Sequence, residues 1–391
     1  MNLKVTKNIL ARWGVLLLII ASGSFYFQVL RMPLTFAMMM ATVGLFLIIN
    51  KYVIRQNLMI CLCILGLLGL NTAFNIRSGF NMNDFVITCG KLLFIIVLLS
   101  NLTLQEFKRL YVKTMVFIAI VSVLCFLWVD VLAIGPLPLQ TINFSDAGLV
   151  NLTPYYTVGW SNGSFGRNAG PFGEPGSYQI FLNIALMYLL VNPTKELASE
   201  VEKKIYIVIL VITILTTMSA TGYMCLACII AASIFQSDNP ENKNVKILAI
   251  AALVVLYIIE TNNGFVSHKL LGGGSYAVRS NDTFGGLSLA LQRPIAGFGL
   301  FSTDRSELLG TAGIGMISNG LVSLMVSIGI PLTALYLFLI YNSIRVNIKG
   351  GWLPTLLLFI FYFMALNAEG GALNIIYLIN LFVWKQETID V

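Results

Sequence analysis

The sequence predicts an all-α, polytopic integral membrane protein, and three observations carry that reading. Of 391 residues, 58% are hydrophobic and only 10% are charged. Mean hydropathy is +0.86. The apolar residues also fall in runs long enough to span a bilayer. Soluble globular chains carry about 25% charged residues, so a chain this depleted cannot cover a water-facing surface, and lipid must solvate most of it. One oversized soluble core is excluded, because single cores stop growing near roughly 250–300 residues.

A span needs about 20 mostly apolar residues. Twelve stretches qualify: 13–30, 34–50, 57–74, 84–100, 112–134, 176–192, 205–219, 221–236, 247–260, 317–341, 352–368 and 371–384. Lys4, Lys7 and Arg12 ahead of the first run give it a signal-peptide look, but with further spans behind it a retained signal-anchor helix is expected. The short pair 205–219 and 221–236 meets at Ser219-Ala220-Thr221-Gly222. A helical hairpin turning at Gly222 and one long kinked helix both fit there.

Lysine and arginine set the orientation. With the N-terminus in the cytoplasm, 16 of the 24 basic residues fall in cytoplasmic segments, seven fall outside, and Lys91 lies within a span. That bias predicts N-in and C-in, which an even span count also requires. The net charge of +7 therefore encodes topology, and no basic stripe with interleaved aromatics points to nucleic acid. The six cysteines all lie in apolar runs, where they act as small hydrophobes. Cys225 and Cys228 have CxxC spacing without the further ligands that a metal site needs.

The chain reads as one membrane domain over 1–391, with no internal repeat. Its two long outside segments run from about Gly135 to Pro175 and from about Thr261 to Met316. Both are rich in Gly, Asn, Ser and Thr, and their aromatics (Tyr155, Tyr156, Trp160, Phe298 and Phe301 among them) predict packed, ordered loops. Long connections of this kind are usually functional or disordered.

Candidate chemistry concentrates there. In Gly166-Arg167-Asn168-Ala169-Gly170-Pro171-Phe172-Gly173-Glu174-Pro175-Gly176-Ser177, Pro175 fits the first position of a helix whose positive end lies beside Glu174. Glu174 is then either an acidic helix cap or a carboxylate held at the membrane surface with Arg167 nearby. The second segment sets His268, Lys269, Arg279, Arg293 and Arg305 against Asp282, Asp304 and Glu307. Arginine forks bind phosphate oxygens bidentately, and a diphosphate at the membrane surface is the anion they suit. Asp84 and Lys91 lie seven apart on one helix face, and charges inside spans are functional candidates by default. No P-loop, GxSxG, HExxH or paired carboxylate–metal motif is present, so the donor substrate must arrive already activated.

Two short regions resemble the O-antigen polymerase (Wzy-type) family and the related O-antigen ligases. Arg167 through Pro175 is similar to the Arg-x-x-Gly-x-x-x-Glu-Pro signature of many polysaccharide polymerases. Arg279, then Arg293-Pro294-Ile295-Ala296-Gly297-Phe298-Gly299, then Ser318-Asn319 before a long span resembles the end of the family's large loop. The resemblance implies an all-helical bacterial inner-membrane glycosyltransferase with a periplasmic chamber roofed by the two long loops. It would transfer a growing glycan from undecaprenyl diphosphate to a hydroxyl of the next lipid-linked repeat, in O-antigen (lipopolysaccharide) or related surface polysaccharide synthesis. No metal or nucleotide cofactor is expected, and a chain-length regulator is a candidate partner. Glu174 or His268 would take the acceptor proton, and Arg279 with Arg167 or Arg293 would stabilise the departing diphosphate. Arg293, Arg305, Asn319 and Lys91 would bind substrate.

The chain departs from the family twice. Ligases commonly carry His-Asn where this chain has Ser318-Asn319, and many relatives have Ser-Arg-x-Gly where it has Ser219-Ala220-Thr221-Gly222. A ligase, or a flippase for lipid-linked oligosaccharide, is the alternative expectation.

Overall fold

The computed structural model describes residues 3–50, 53–75, 79–139, 143–144, 150–159, 161–162, 165–191, 199–236, 274–303, 317–348, 351–368 and 373–385. These residues are mostly helical. In order come α1 (Leu3–Gly23), α2 (Met32–Asn50), α3 (Arg55–Phe74), α4 (Met82–Asn101), α5 (Leu104–Phe126), α6 (Pro175–Leu190), α7 (Glu200–Thr216) and α8 (Ala220–Gln236). Then follow α9 (Gly274–Gln292), α10 (Gly320–Ile328), α11 (Ile330–Asn347), α12 (Trp352–Ala368) and the short α13 (Ile375–Leu378). The π-turns Tyr26–Leu30 and Leu127–Val131 follow α1 and α5.

Among the described residues, four stretches are long and apolar enough to cross a membrane: Met32–Ile49, Arg55–Phe74, Met82–Asn101 and Leu104–Val131. Only 28% of the first and 22% of the second is buried, and Ile48, Leu62, Leu70 and Phe74 point outward. Such contiguous exposed apolar surface suits lipid and not water. α6 is the opposite case. It packs against α5, α7 and α8, and every position but Gly176 and Ser177 is buried, as expected of a helix that is apolar all round.

The described residues of the segment 135–175 form strands and turns and no helix before Pro175. β1 (Asn143–Phe144), β2 (Val150–Leu152) and β3 (Thr157–Val158) form an antiparallel sheet in that order, with Asn143 opposite Asn151 and Leu152 opposite Thr157. β4 (Ser161–Asn162) and β5 (Phe165–Gly166) form a separate hairpin that leads into Arg167.

Several expectations change. The stretch 317–341 is two helices, because Gly329 sits at φ +85°, ψ 166° between α10 and α11, a region essentially confined to glycine. The stretch 371–384 is no span. Asn374 caps the four-residue α13, a 3₁₀ turn follows over Ile379–Leu381, and the chain then runs extended. Asn57 holds that extended end, donating to Val383 O and accepting from Val383 N, both at 2.8 Å. The α7–α8 turn lies at Thr217–Ser219 and not at Gly222, since Met218 takes a φ of +46° and breaks the helix. Gly222 is inside α8, where a Cβ would crowd Gln179. The segment 261–316 carries the 19-residue α9, where a loop was expected. The span at 247–260 lies outside the described residues.

The bundle has two distinct ends. One gathers Ile54, Asn57, Ser100, Thr103 and Lys385, where the Ile54 amide donates to Ser100 Oγ at 3.0 Å and the Lys385 amide to Leu99 O at 3.2 Å. The other gathers both long segments. There the Phe25 amide donates to Pro171 O at 3.2 Å, Asn374 Nδ2 to Ser22 O, and the Asn81 amide to Phe301 O at 2.8 Å.

Gly329 gives the sharpest test of this fold. A Cβ there would collide with the Ile295 carbonyl, and the backbone strain alone costs about 1–3 kcal/mol. Gly329→Ala should lower the thermal midpoint of the purified protein. Gly44→Ala, in open space on α2, should leave it unchanged or raise it by up to about 1 kcal/mol of helix propensity. Equal midpoints for the two variants would contradict the break at Gly329.

Candidate functional site

The Arg167–Pro175 segment is fixed from its second residue. Asn168 is fully buried. Its Nδ2 donates to Thr216 Oγ1 at 3.0 Å and Ser122 Oγ at 3.3 Å, and its Oδ1 accepts from the Gly170 amide at 3.0 Å. The Asn168 amide donates to Thr216 O at 3.0 Å. One asparagine therefore ties the segment to α5 and to the end of α7. Phe172 follows, stacked on Tyr178 with ring centroids 5.1 Å apart and against Phe181 at 4.5 Å.

These anchors place the two charged residues. Arg167 is half-buried and donates from Nε to Thr217 O at 3.2 Å, at the carbonyl end of α7, where a cation is favoured. Glu174 occupies the N-cap position of α6 with Pro175 behind it, but its carboxylate makes no cap bond. The acidic-cap reading holds for the backbone alone. The carboxylate stays uncommitted to the cap, half-buried at the positive end of α6.

The first segment is braced from α5 as well. Tyr156, fully buried, donates its hydroxyl to Asp130 Oδ2 at 2.7 Å. Burial raises the Tyr156 phenol well above its ordinary range, and the adjacent carboxylate adds to that. The phenol therefore stays protonated and donating. Asp130 serves this brace.

Lys91 lines a cavity of about 450 Å³. It lies nine residues from the start of α4 and ten from its end, about 14–15 Å at 1.5 Å per residue. The cavity walls come from the end of α1 and its π-turn (Ala21, Phe27, Gln28), α2, α10 (Gly320, Ser323, Ser327) and Asn374. Asp84 does not pair with Lys91. It caps α4 together with Asn81, whose Nδ2 donates to Asp84 Oδ2 at 3.0 Å. No described residue forms an ion pair or hydrogen bond with the Lys91 ammonium.

The Arg293–Gly299 turn closes one side of this region through Leu300, which also lines the cavity. The turn docks backbone to backbone on the α10–α11 break. The Phe298 amide donates to Val326 O at 2.8 Å, Gly299 N to Ser327 O at 2.9 Å, and Ile330 N to Pro294 O at 2.8 Å. Gly297, at φ +63°, lies too close to the Ser327 backbone for any Cβ. Asn71 clasps the turn from α3, donating to Ala296 O at 2.5 Å and accepting from Leu300 N at 3.2 Å. Arg293 is exposed, donates to Asn75 Oδ1 at 3.4 Å and lies 4.8 Å over the Phe298 ring.

Asn319 caps α10, accepting from Val322 N at 3.2 Å, while its Nδ2 points to Thr283 Oγ1 at 3.5 Å. Asp282 Oδ2 accepts from Ser318 N at 3.4 Å. Position 279 on α9 lies three and four residues before Asp282 and Thr283, hence on the helix face that meets the mouth of α10. His268, Lys269, Asp304, Arg305 and Glu307 lie outside the described residues.

Two groupings result. Arg167 and Glu174 sit with α6 and the α7–α8 turn. Lys91 and, through Leu300, the Arg293 turn border the cavity, while Asn319 and the α9 face of Asp282 and Thr283 meet at the start of α10. The π-turn after α1 joins them, since Phe25 holds Pro171 while Phe27 and Gln28 line the cavity. Sequence reasoning missed Asn71, Asn75, Gln28 and Asn374. Asn71 and Asn75, four apart at the end of an apolar span, were a legible signal, since a polar pair in a span requires partners. No family model, curated protein or solved structure matches the chain.

Proposed function

We propose that this chain is the polymerase of undecaprenyl-diphosphate-linked oligosaccharide repeats, a multi-pass protein of the bacterial inner membrane. The observation that supports it best is convergence. The two segments that resemble the polymerase family lie more than 100 residues apart, yet both lead to the Lys91 cavity: the first is held by Phe25 of the turn whose Phe27 and Gln28 line it, and the second reaches it through Leu300 and Gly320. Among the described residues Lys108 and Lys385 lie toward the other end, which supports N-in and C-in with the cavity on the periplasmic side.

In this reading the acceptor hydroxyl attacks the anomeric carbon of the donor glycan. The bond to the diphosphate breaks, the electron pair leaves with the diphosphate, and the hydroxyl proton passes to Glu174. Arg279 and Arg167, with Arg293, Arg305 and Lys91 around them, offset the charge that develops on the leaving group. Fixed cations in a low-dielectric site act there more strongly than in water. Asn319 holds the mouth of α10, His268 is the alternative base, and a chain-length regulator would act on the outer face.

Topology is tested first. Reporter fusions after residues 150 and 290 should report periplasm, and fusions after 198 and 240 should report cytoplasm. A cytoplasmic signal from either long segment would overturn the site assignment.

Activity comes second. A deletion strain should cap its lipid core with a single repeat, whereas loss of all capping would indicate a ligase or flippase. Arg279→Ala and Arg279→Lys should both nearly abolish long chains at normal protein level, because a point charge cannot reproduce the bidentate fork. Losing one such contact costs about 2.7–4 kcal/mol, roughly 100- to 1000-fold in rate. Glu174→Gln should abolish polymer with abundance intact, since its carboxylate makes no cap bond. Normal polymer from Arg279→Ala and Glu174→Gln together would refute the mechanism.

A further inference from the structure

At the end of the bundle away from the Lys91 cavity, a second cation lies buried. Lys108, one turn into α5, is 8% exposed and lines a cavity of about 60 Å³. Its ammonium lies 5.6 Å from the centre of the Tyr188 ring, close enough for a cation–π contact. No described carboxylate faces it, and none of its donors finds a described acceptor. A buried ammonium without a counter-charge is costly, so its surroundings should supply an anion.

The last turns of α6 and α11 border the same cavity through Tyr188 and Asn347. Their partial negative charge favours a cation nearby, yet no carbonyl takes a bond from it. Ser343, Asn347 and Asn380 are polar residues in a mostly apolar lining, with Asn347 Nδ2 reaching back to Ser343 O at 2.8 Å. Trp384 lines it too, and Trp352 nearby in the chain order is 74% exposed. Tryptophan concentrates at headgroup depth. The space fits one oxyanion group and no sugar.

We propose that Lys108 and the Ser343–Asn347 end of α11 form a binding site for a single phosphate group. That group is carried by an anionic phospholipid headgroup or supplied as free phosphate. The site lies at the opposite end of the bundle from the polymerisation site and is independent of that assignment. Lys108 supplies the charge and the Ser343 hydroxyl a neutral donor, while the Asn380 amide is held by Tyr377 O at 3.1 Å. Occupancy would clamp α5, α6 and α11 together at this end.

The test uses the full chain purified in a maltoside detergent, which carries no phosphate. Thermal midpoints are read with short-chain phosphatidylglycerol, with inorganic phosphate, and with chloride at matched ionic strength. Wild type and Lys108→Arg should be stabilised by phosphatidylglycerol, by phosphate or by both. Response to the lipid alone assigns the headgroup, and response to phosphate as well assigns the phosphate group itself. Lys108→Met should bind at least tenfold more weakly while folding normally, because replacing a buried charge by an apolar group of similar shape is often neutral. Lys108→Gln, read in the same way, replaces it if the Met variant does not fold. Three outcomes would overturn the site: no response in wild type, an equal response to chloride, or an undiminished response in the charge-free variants.

Discussion

Irregular backbone inside an apolar bundle must find hydrogen-bond partners without water, and in this protein asparagine amides supply them. Asn57 pairs both groups of Val383. Asn71 takes the Ala296 carbonyl and the Leu300 amide. Asn168 fastens the Arg167–Pro175 segment to two helices, and Asn374 joins Ser22 to α13. Each unpaired buried group would cost about 1–3 kcal/mol, and the cost rises where no water reaches. With these amides in place, the chain leaves helical geometry at both ends of the bundle. Arg167, Glu174, Arg293 and Asn319 stand on such non-helical backbone or immediately beside it, whereas Lys91 lies in the middle of α4.

That arrangement explains why charge is tolerable at the candidate site. Arg167 leans on the carbonyl end of α7, and Arg293 on Asn75 and Phe298. Glu174 sits at the amide end of α6. The scaffold partly compensates these charges through dipoles and rings. Lys91, with Asp84 about two turns away on its own helix, has the least compensation of this group.

Much of this was legible in the sequence, and the failures have identifiable causes. Hydropathy located the cores of α2 to α8 and α12, because burial in a bundle and burial in lipid select the same residues. It could not see the break at Gly329, since the residues on both sides remain apolar and only the backbone angle differs. It read 371–384 as a span because Ile375, Ile376 and Ile379 are buried there against protein. It missed α9, whose Gly, Ser and Asn content hides a helix that packs one face on α10. The Arg167–Pro175 segment was found for its charges. Its position is set by Asn168 and Phe172, which no charge pattern marks.

α6 has one more consequence, which concerns the order of assembly. Gln179 and Asn183 are fully buried in it, and Asn183 donates to the Gly222 carbonyl of α8 at 3.2 Å. The chain emerges from its N-terminus, so α6 enters the bilayer before α8 exists to receive that bond. During the interval two carboxamides face hydrocarbon or each other, and Asn183 already has the Gln179 oxygen within 3.0 Å. The pair shelters itself until its neighbour arrives. What looks in the finished protein like a small polar flaw in an apolar core is, in the order of synthesis, a temporary seal.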